Sequence, residues 1–166
     1  MLVTCQDPAT QDQYIPVETA VGRAAQELAK RREEDLLKLL ESVYRGARAC
    51  GEDNRRRVRA LANLRPNWDT YAAPAPNGVS VANAIRVLNL LEAMNLGPTR
   101  ILPSAEGGVG VCFVRGDRYA DIECSNDGEI LGVFYVGAQM PVLLETDATD
   151  NTVNTALERI RDHIRG

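Results

Sequence analysis

Aromatic residues are scarce in this sequence, with two phenylalanines, one tryptophan and five tyrosines among 166 residues. Lysine is scarcer still, because Lys30 and Lys38 are the only lysines among 19 basic residues. There is one histidine, His163, and no two of the four cysteines (Cys5, Cys50, Cys112, Cys124) form a C-x-x-C pair. A closed zinc site needs four ligands at compatible spacing, so these scattered residues predict no metal and no cofactor. No apolar run approaches the roughly 20 residues that span a bilayer, so no membrane-crossing helix is expected. The opening residues Met1 to Asp7 lack the basic patch and apolar stretch of a secretory signal. That predicts a cytoplasmic protein with reduced thiols and no membrane partner.

What is present reads as a globular chain, 45% hydrophobic and 25% charged. The charge is unevenly placed: residues 1–65 carry 12 basic against 10 acidic side chains, and residues 66–166 carry 7 against 13. Residues 1–15 read as irregular, and Pro16 suits a helix's first turn, where its missing N–H costs nothing. From Val17 to Ala47 apolar residues recur at three and four: Val21, Ala24, Ala25 and Leu28, then Leu36, Leu39, Leu40, Val43 and Tyr44. The charged stretch Lys30 to Asp35 interrupts that stripe, which allows one long helix or two shorter ones and is not a strict heptad seam. Gly46 and Gly51 are plausible stops. A second helix is expected from Glu52 to about Leu64, with Val58, Leu61 and Ala62 on its apolar face and Glu52 and Asp53 favouring its N-terminus. Ser80 is the expected cap of a further helix, whose stripe is Val81, Ala84, Ile85, Leu88, Leu91 and Met94 and which ends at Gly97-Pro98.

Three strands follow: Val109–Val114, Tyr119–Cys124 and Ile130–Val136. Arg115-Gly116-Asp117-Arg118 and Ser125-Asn126-Asp127-Gly128 supply the turns between them. With Gly116-Asp117 as a two-residue turn, Val111, Phe113, Ala120, Ile122 and Cys124 share one face, and Cys112, Tyr119, Asp121 and Glu123 share the other. A one-residue slip would mix these sets. A disulfide between Cys112 and Cys124 would need such a slip. The third strand is apolar at nearly every position, so it is covered on both sides or placed centrally. Pro141 to Leu144 allows one more strand. A last helix from about Asp150 presents Val153, Ala156, Leu157, Ile160 and Ile164 to the sheet. The expected fold is α+β: N-terminal helices, a three- to four-stranded antiparallel meander and a C-terminal helix packed on the sheet. The expected division is a helical arm, 1–50, and a compact domain, 51–166.

Few residues suggest chemistry. Asp121 and Glu123 stand two apart on one strand face, and paired carboxylates can hold a divalent ion or work as acid and base. The α-β-β-β-α order with an acidic strand resembles the restriction-endonuclease-like nucleases, which want a lysine two residues after the second acid, where this chain has Ser125. Arg55, Arg56, Arg57 and Arg59 form a basic patch that could contact phosphates. The acidic chain and the neighbouring Glu52 and Asp53 favour a solvated face, so nucleic acid is not the expected partner. His163 has no nucleophile beside it to form a triad. Gly107-Gly108-Val109-Gly110 leads into a strand, not a helix, so it offers no phosphate cradle and reads as a flexible lead-in. Trp68, Asp69 and Tyr71, among prolines, either plug a core edge or present an anchor for a partner.

Asn67-Trp68-Asp69-Thr70-Tyr71-Ala72-Ala73-Pro74 resembles the phrase NWDGYGA-P of a group of small uncharacterised bacterial α+β proteins. In that group a helix, a P-x-x-x-G-G-V strand start and a DG turn follow, as Pro103 to Val109 and Asp127-Gly128 do here. The resemblance covers about residues 64–136 and departs at Thr70 and Ala72, where the phrase has glycine. It implies an α+β module of bacteria and their mobile elements, and no activity. The reading that follows is a non-enzymatic interaction module, such as an adaptor or neutralising partner in a bacterial gene pair. It would meet a protein partner or a second copy through the N-terminal helix. The alternatives are a metal-dependent nuclease using Asp121 and Glu123, and a nucleic-acid binder using the arginine helix.

Overall fold

The computed structural model describes residues 17–166, apart from the side chains of 17–21, 44, 47 and 48. The expectations for residues 1–15, Pro16 and Cys5 lie outside the described residues, as do those for the side chains of Val21 and Tyr44. The fold is α+β. Three helices, α1 (Val17–Leu61), α2 (Gly78–Ala93) and α3 (Asp150–Arg165), accompany five strands: β1 (Arg100–Pro103), β2 (Gly108–Arg115), β3 (Arg118–Ser125), β4 (Ile130–Val136) and β5 (Val142–Glu145). No helix among the described residues is long and apolar enough to cross a membrane.

α1 is one continuous helix, and neither Gly46 nor Gly51 stops it. An interior glycine costs only about 1 kcal/mol, and the carboxylate–arginine pairs that follow hold the helical register. Contacts divide the chain after Arg45, within α1, into two units. In the first, every described side chain from Gly22 to Val43 is exposed.

The second unit, from Gly46 onward, contains the sheet. Its strands lie in chain order β1-β2-β3-β4-β5, each antiparallel to the next. The β2–β3 register pairs Arg115 with Arg118 around Gly116-Asp117, as the alternation of side chains requires. Gly116 supplies the positive φ, 62°, of that turn. β4 is an interior strand, between β3 and β5, and its register settles its facing. Ile130, Gly132 and Phe134 align with Cys124, Ile122 and Ala120 on the core side, while Leu131, Val133 and Tyr135 take the other face. β1 was not expected. It pairs Arg100 to Pro103 with Cys112 to Val109 along the sheet's edge. Proline is tolerated there because an edge N–H has no ladder to join.

α2 and α3 cover one face of the sheet. Val109, Val111, Phe113, Ala120, Ile122, Cys124 and Ile130 are buried against Ala84, Val87, Leu88 and Leu91 of α2 and Val153, Leu157 and Ile160 of α3. Val58, near the end of α1, is fully buried in the same core. The cap of α2 is Asn77 rather than Ser80. Asn77 is extended, its side chain accepts from Val79 N and Ser80 N, and Ser80 Oγ returns a bond to the Asn77 backbone.

Candidate interaction surfaces

The opposite face of the sheet carries the carboxylate pair. Asp121 Oδ2 accepts a hydrogen bond from the Tyr119 hydroxyl at 2.9 Å. Tyr119 stacks on Tyr135 with ring centroids 4.9 Å apart. Burial raises the Asp121 carboxyl above its usual range, the Tyr119 bond pulls it back, and the Glu123 charge adds to the rise. Burial, then the adjacent carboxylate, pushes the Tyr119 hydroxyl upward. Glu123 accepts from Ser104 Oγ and lines a shallow cavity of about 330 Å³ with Glu106, Asp127 and Glu129. Among the described residues, no group of three or more histidine, cysteine, aspartate or glutamate side chains is placed to hold a metal ion. Cys112 lies on this same face and Cys124 in the core, both unbridged. Burial lifts both thiols, Cys124 to about 12.

The arginine helix is an ion-pair lattice. Arg55 bonds Glu52 at 3.1 Å, Glu92 at 2.7 Å and Asn89 at 3.2 Å. It is a structural clamp between the end of α1 and α2. Arg57 meets Asp53 at 2.9 Å, Arg59 meets Glu52 at 3.3 Å and Arg56 reaches Asp53 at 3.9 Å. The hydrogen bond from Arg55 holds Glu52 below the usual carboxylate range.

The loop of Trp68, Asp69 and Tyr71 satisfies its own polar groups. Asp69 Oδ1 accepts from Tyr71 N at 2.8 Å and Ala73 N at 3.1 Å. Asn67 Oδ1 accepts from Ala72 N at 2.8 Å, and Asn67 N donates to Ala73 O at 2.8 Å. The Trp68 indole donates to Pro74 O at 3.3 Å. Tyr71 is left almost bare, 88% exposed. Asn67, Thr70 and Ala72 all have positive φ, near 65°, 67° and 71°.

Asn126 is the residue that sequence reasoning missed. Its Oδ1 accepts from Asn77 N and Ser80 Oγ, both at 2.8 Å, and its Nδ2 donates to Ala75 O at 2.9 Å. The β3–β4 turn thereby locks the start of α2. The glycine that opens β2 serves packing rather than flexibility: a Cβ at Gly108 would lie 2.5 Å from Cys124 O. His163 is half-buried rather than a plain surface group, with Nε2 3.1 Å from Tyr135 O and its ring tilted against Phe134.

The first unit carries a stripe of exposed apolar side chains. Leu28, Leu36, Leu37, Leu39, Leu40 and Val43 are each 54–63% exposed. The loop, the carboxylate pair of β3 and the residues of α1 stand on separate elements, while the stripe and the arginines belong to different stretches of α1. Comparison with family models, with curated proteins and with solved structures found no match.

Proposed function

We propose that this chain is a non-enzymatic protein–protein interaction module of adaptor type, acting in the cytoplasm, whose association surface is the N-terminal part of α1. The observation that carries the reading is the exposed stripe from Leu28 to Val43. Full burial of such a side chain contributes roughly 1.5–3 kcal/mol, and contiguous apolar patches on a soluble surface mark contact sites. Long helices draw most of their stability from packing an apolar face, which favours a partner along this one. Tyr71, held outward by a hydrogen-bonded loop, is a second candidate anchor.

The test is a native pull-down of the full chain from extract of its source, with sedimentation to measure self-association, beside a Leu36→Asp, Leu40→Asp variant. We expect a stoichiometric protein partner, either a second copy or another chain, that the variant loses while its near-UV circular dichroism is unchanged. A wild-type chain that sediments and elutes alone, or a variant that keeps its partner, overturns the reading.

A further inference from the structure

We propose that the first unit pairs with a second copy of the same chain, antiparallel, with the two-fold axis passing between Arg32 and Glu33. This rests on α1 being an association surface and names its occupant. At 3.6 residues per turn, the residues Gly22, Ala25, Ala29 and Arg32 share one face of the helix with Glu33, Leu36, Leu40 and Val43. The two halves of that face mirror each other in spacing and oppose each other in size. About the proposed axis, Ala29 faces the partner's Leu36, Ala25 faces its Leu40 and Gly22 faces its Val43. Small residues on one copy thus receive the large ones of the other, twice over. Leu28 and Leu39 lie on the same flank, so each meets the other's counterpart across the seam.

Charge selects the same arrangement. On one flank Arg32 falls beside the partner's Asp35, and on the other Lys30 falls beside the partner's Glu33. Symmetry repeats each pair, giving an isologous interface. A parallel pair in register would instead set Arg32 against Arg32 and Glu33 against Glu33, with Leu36 and Leu40 crowded and Ala25 and Ala29 facing gaps. Within one copy, Asp35 lies 3.8 Å from Lys38 with both side chains about three-quarters exposed, a contact weak enough to give way to a partner.

The test uses the full chain. Lys30→Glu with Arg32→Glu makes the block acidic, and Glu33→Lys with Asp35→Lys makes it basic; all four are helix formers. Each pair of changes is expected to raise the dimer dissociation constant at least tenfold. The fourfold swap, which repeats the charge pattern in reverse, restores self-association, and the two double variants mixed together form a heterodimer. Orientation is read in a Cys5→Ser, Cys50→Ser background. Ala25→Cys protein mixed with Leu40→Cys protein forms an intermolecular disulfide, while neither forms one alone. Cross-linking by Ala25→Cys alone means a parallel pair and overturns the proposal, as does self-association indifferent to the charge swaps. A wild-type monomer overturns it too. If that monomer still captures a different protein through Leu36 and Leu40, only the self-pairing is lost; if it captures nothing, the interaction reading is lost as well.

Discussion

Thr70 and Ala72 sit in the left-handed region of backbone space, where a Cβ crowds the neighbouring carbonyl. Asn67, also at positive φ, is the residue type that tolerates it. The strain persists because Asp69 and Asn67 hold four backbone groups of the loop in place. Glycine at either position should therefore stabilise the fold. Thr70→Gly is expected to gain about 1 kcal/mol and Ala72→Gly about half that, once the greater freedom of glycine in the unfolded chain is subtracted. Urea unfolding checks this, and a loss of stability in both variants would remove strain as the account of this loop. These are the two positions at which the resembled phrase carries glycine. The residue types of the loop were legible in the sequence, but its closure was not. That closure depends on side chains that bond backbone groups two to five residues away, and on Asn126, which reaches across about fifty positions to Asn77 and Ala75.

Among the elements, α1 departs most from its sequence signals. Gly46 and Gly51 read as stops, yet the helix passes through both, and their surroundings differ. Among the described residues nothing lies within 4 Å of a Cβ placed at Gly46, while one at Gly51 would approach the Glu92 carboxylate at 2.9 Å. Glu92 is the partner of Arg55 at 2.7 Å. Gly46→Ala should raise the melting temperature, by helix propensity worth about 1 kcal/mol. Gly51→Ala should leave it unchanged or lower it, because Glu92 must swing away from Arg55. Equal gains in both would show that the clamp contributes nothing. The leucine stripe of α1 was visible as periodicity, but its exposure was not. A three-and-four pattern states that a helix has an apolar face, and the same pattern describes a face turned to a core or to a partner. β1 was hidden for another reason. It has four residues, ends in proline and is held by backbone pairing with β2, which leaves little mark on side-chain alternation. The register of β2 on β3 and the packing face of α3 were legible, because there one face is buried and polarity alternates with it.

At the scale of the whole molecule, acid sensitivity follows from how α3 is begun. Asp147 accepts from the hydroxyls of Thr149 and Thr152 and from Thr149 N. The Thr152 and Thr149 bonds bring its pKa down to about 2. A carboxyl depressed on folding contributes stability above its ordinary pKa near 3.8, and that contribution is lost as pH falls through about 2. Asp147→Asn should therefore be less stable than wild type at pH 5 and above. The two should converge between pH 4 and 2 in urea midpoints taken across that range. A constant gap would assign the effect to lost geometry rather than lost charge.

The order of the strands has a kinetic consequence. Because β1 to β5 lie side by side in the order in which they occur along the chain, each strand docks on the one just made. Each docking closes only a turn of a few residues, so the entropy lost at each step is small. The sheet can zip from any one hairpin outward without waiting for a distant strand, which places its assembly towards the fast end for mixed α/β chains. By the same argument the docking of Val58, at the end of α1, is a later event, because its core partners lie far along the chain and close a much longer loop.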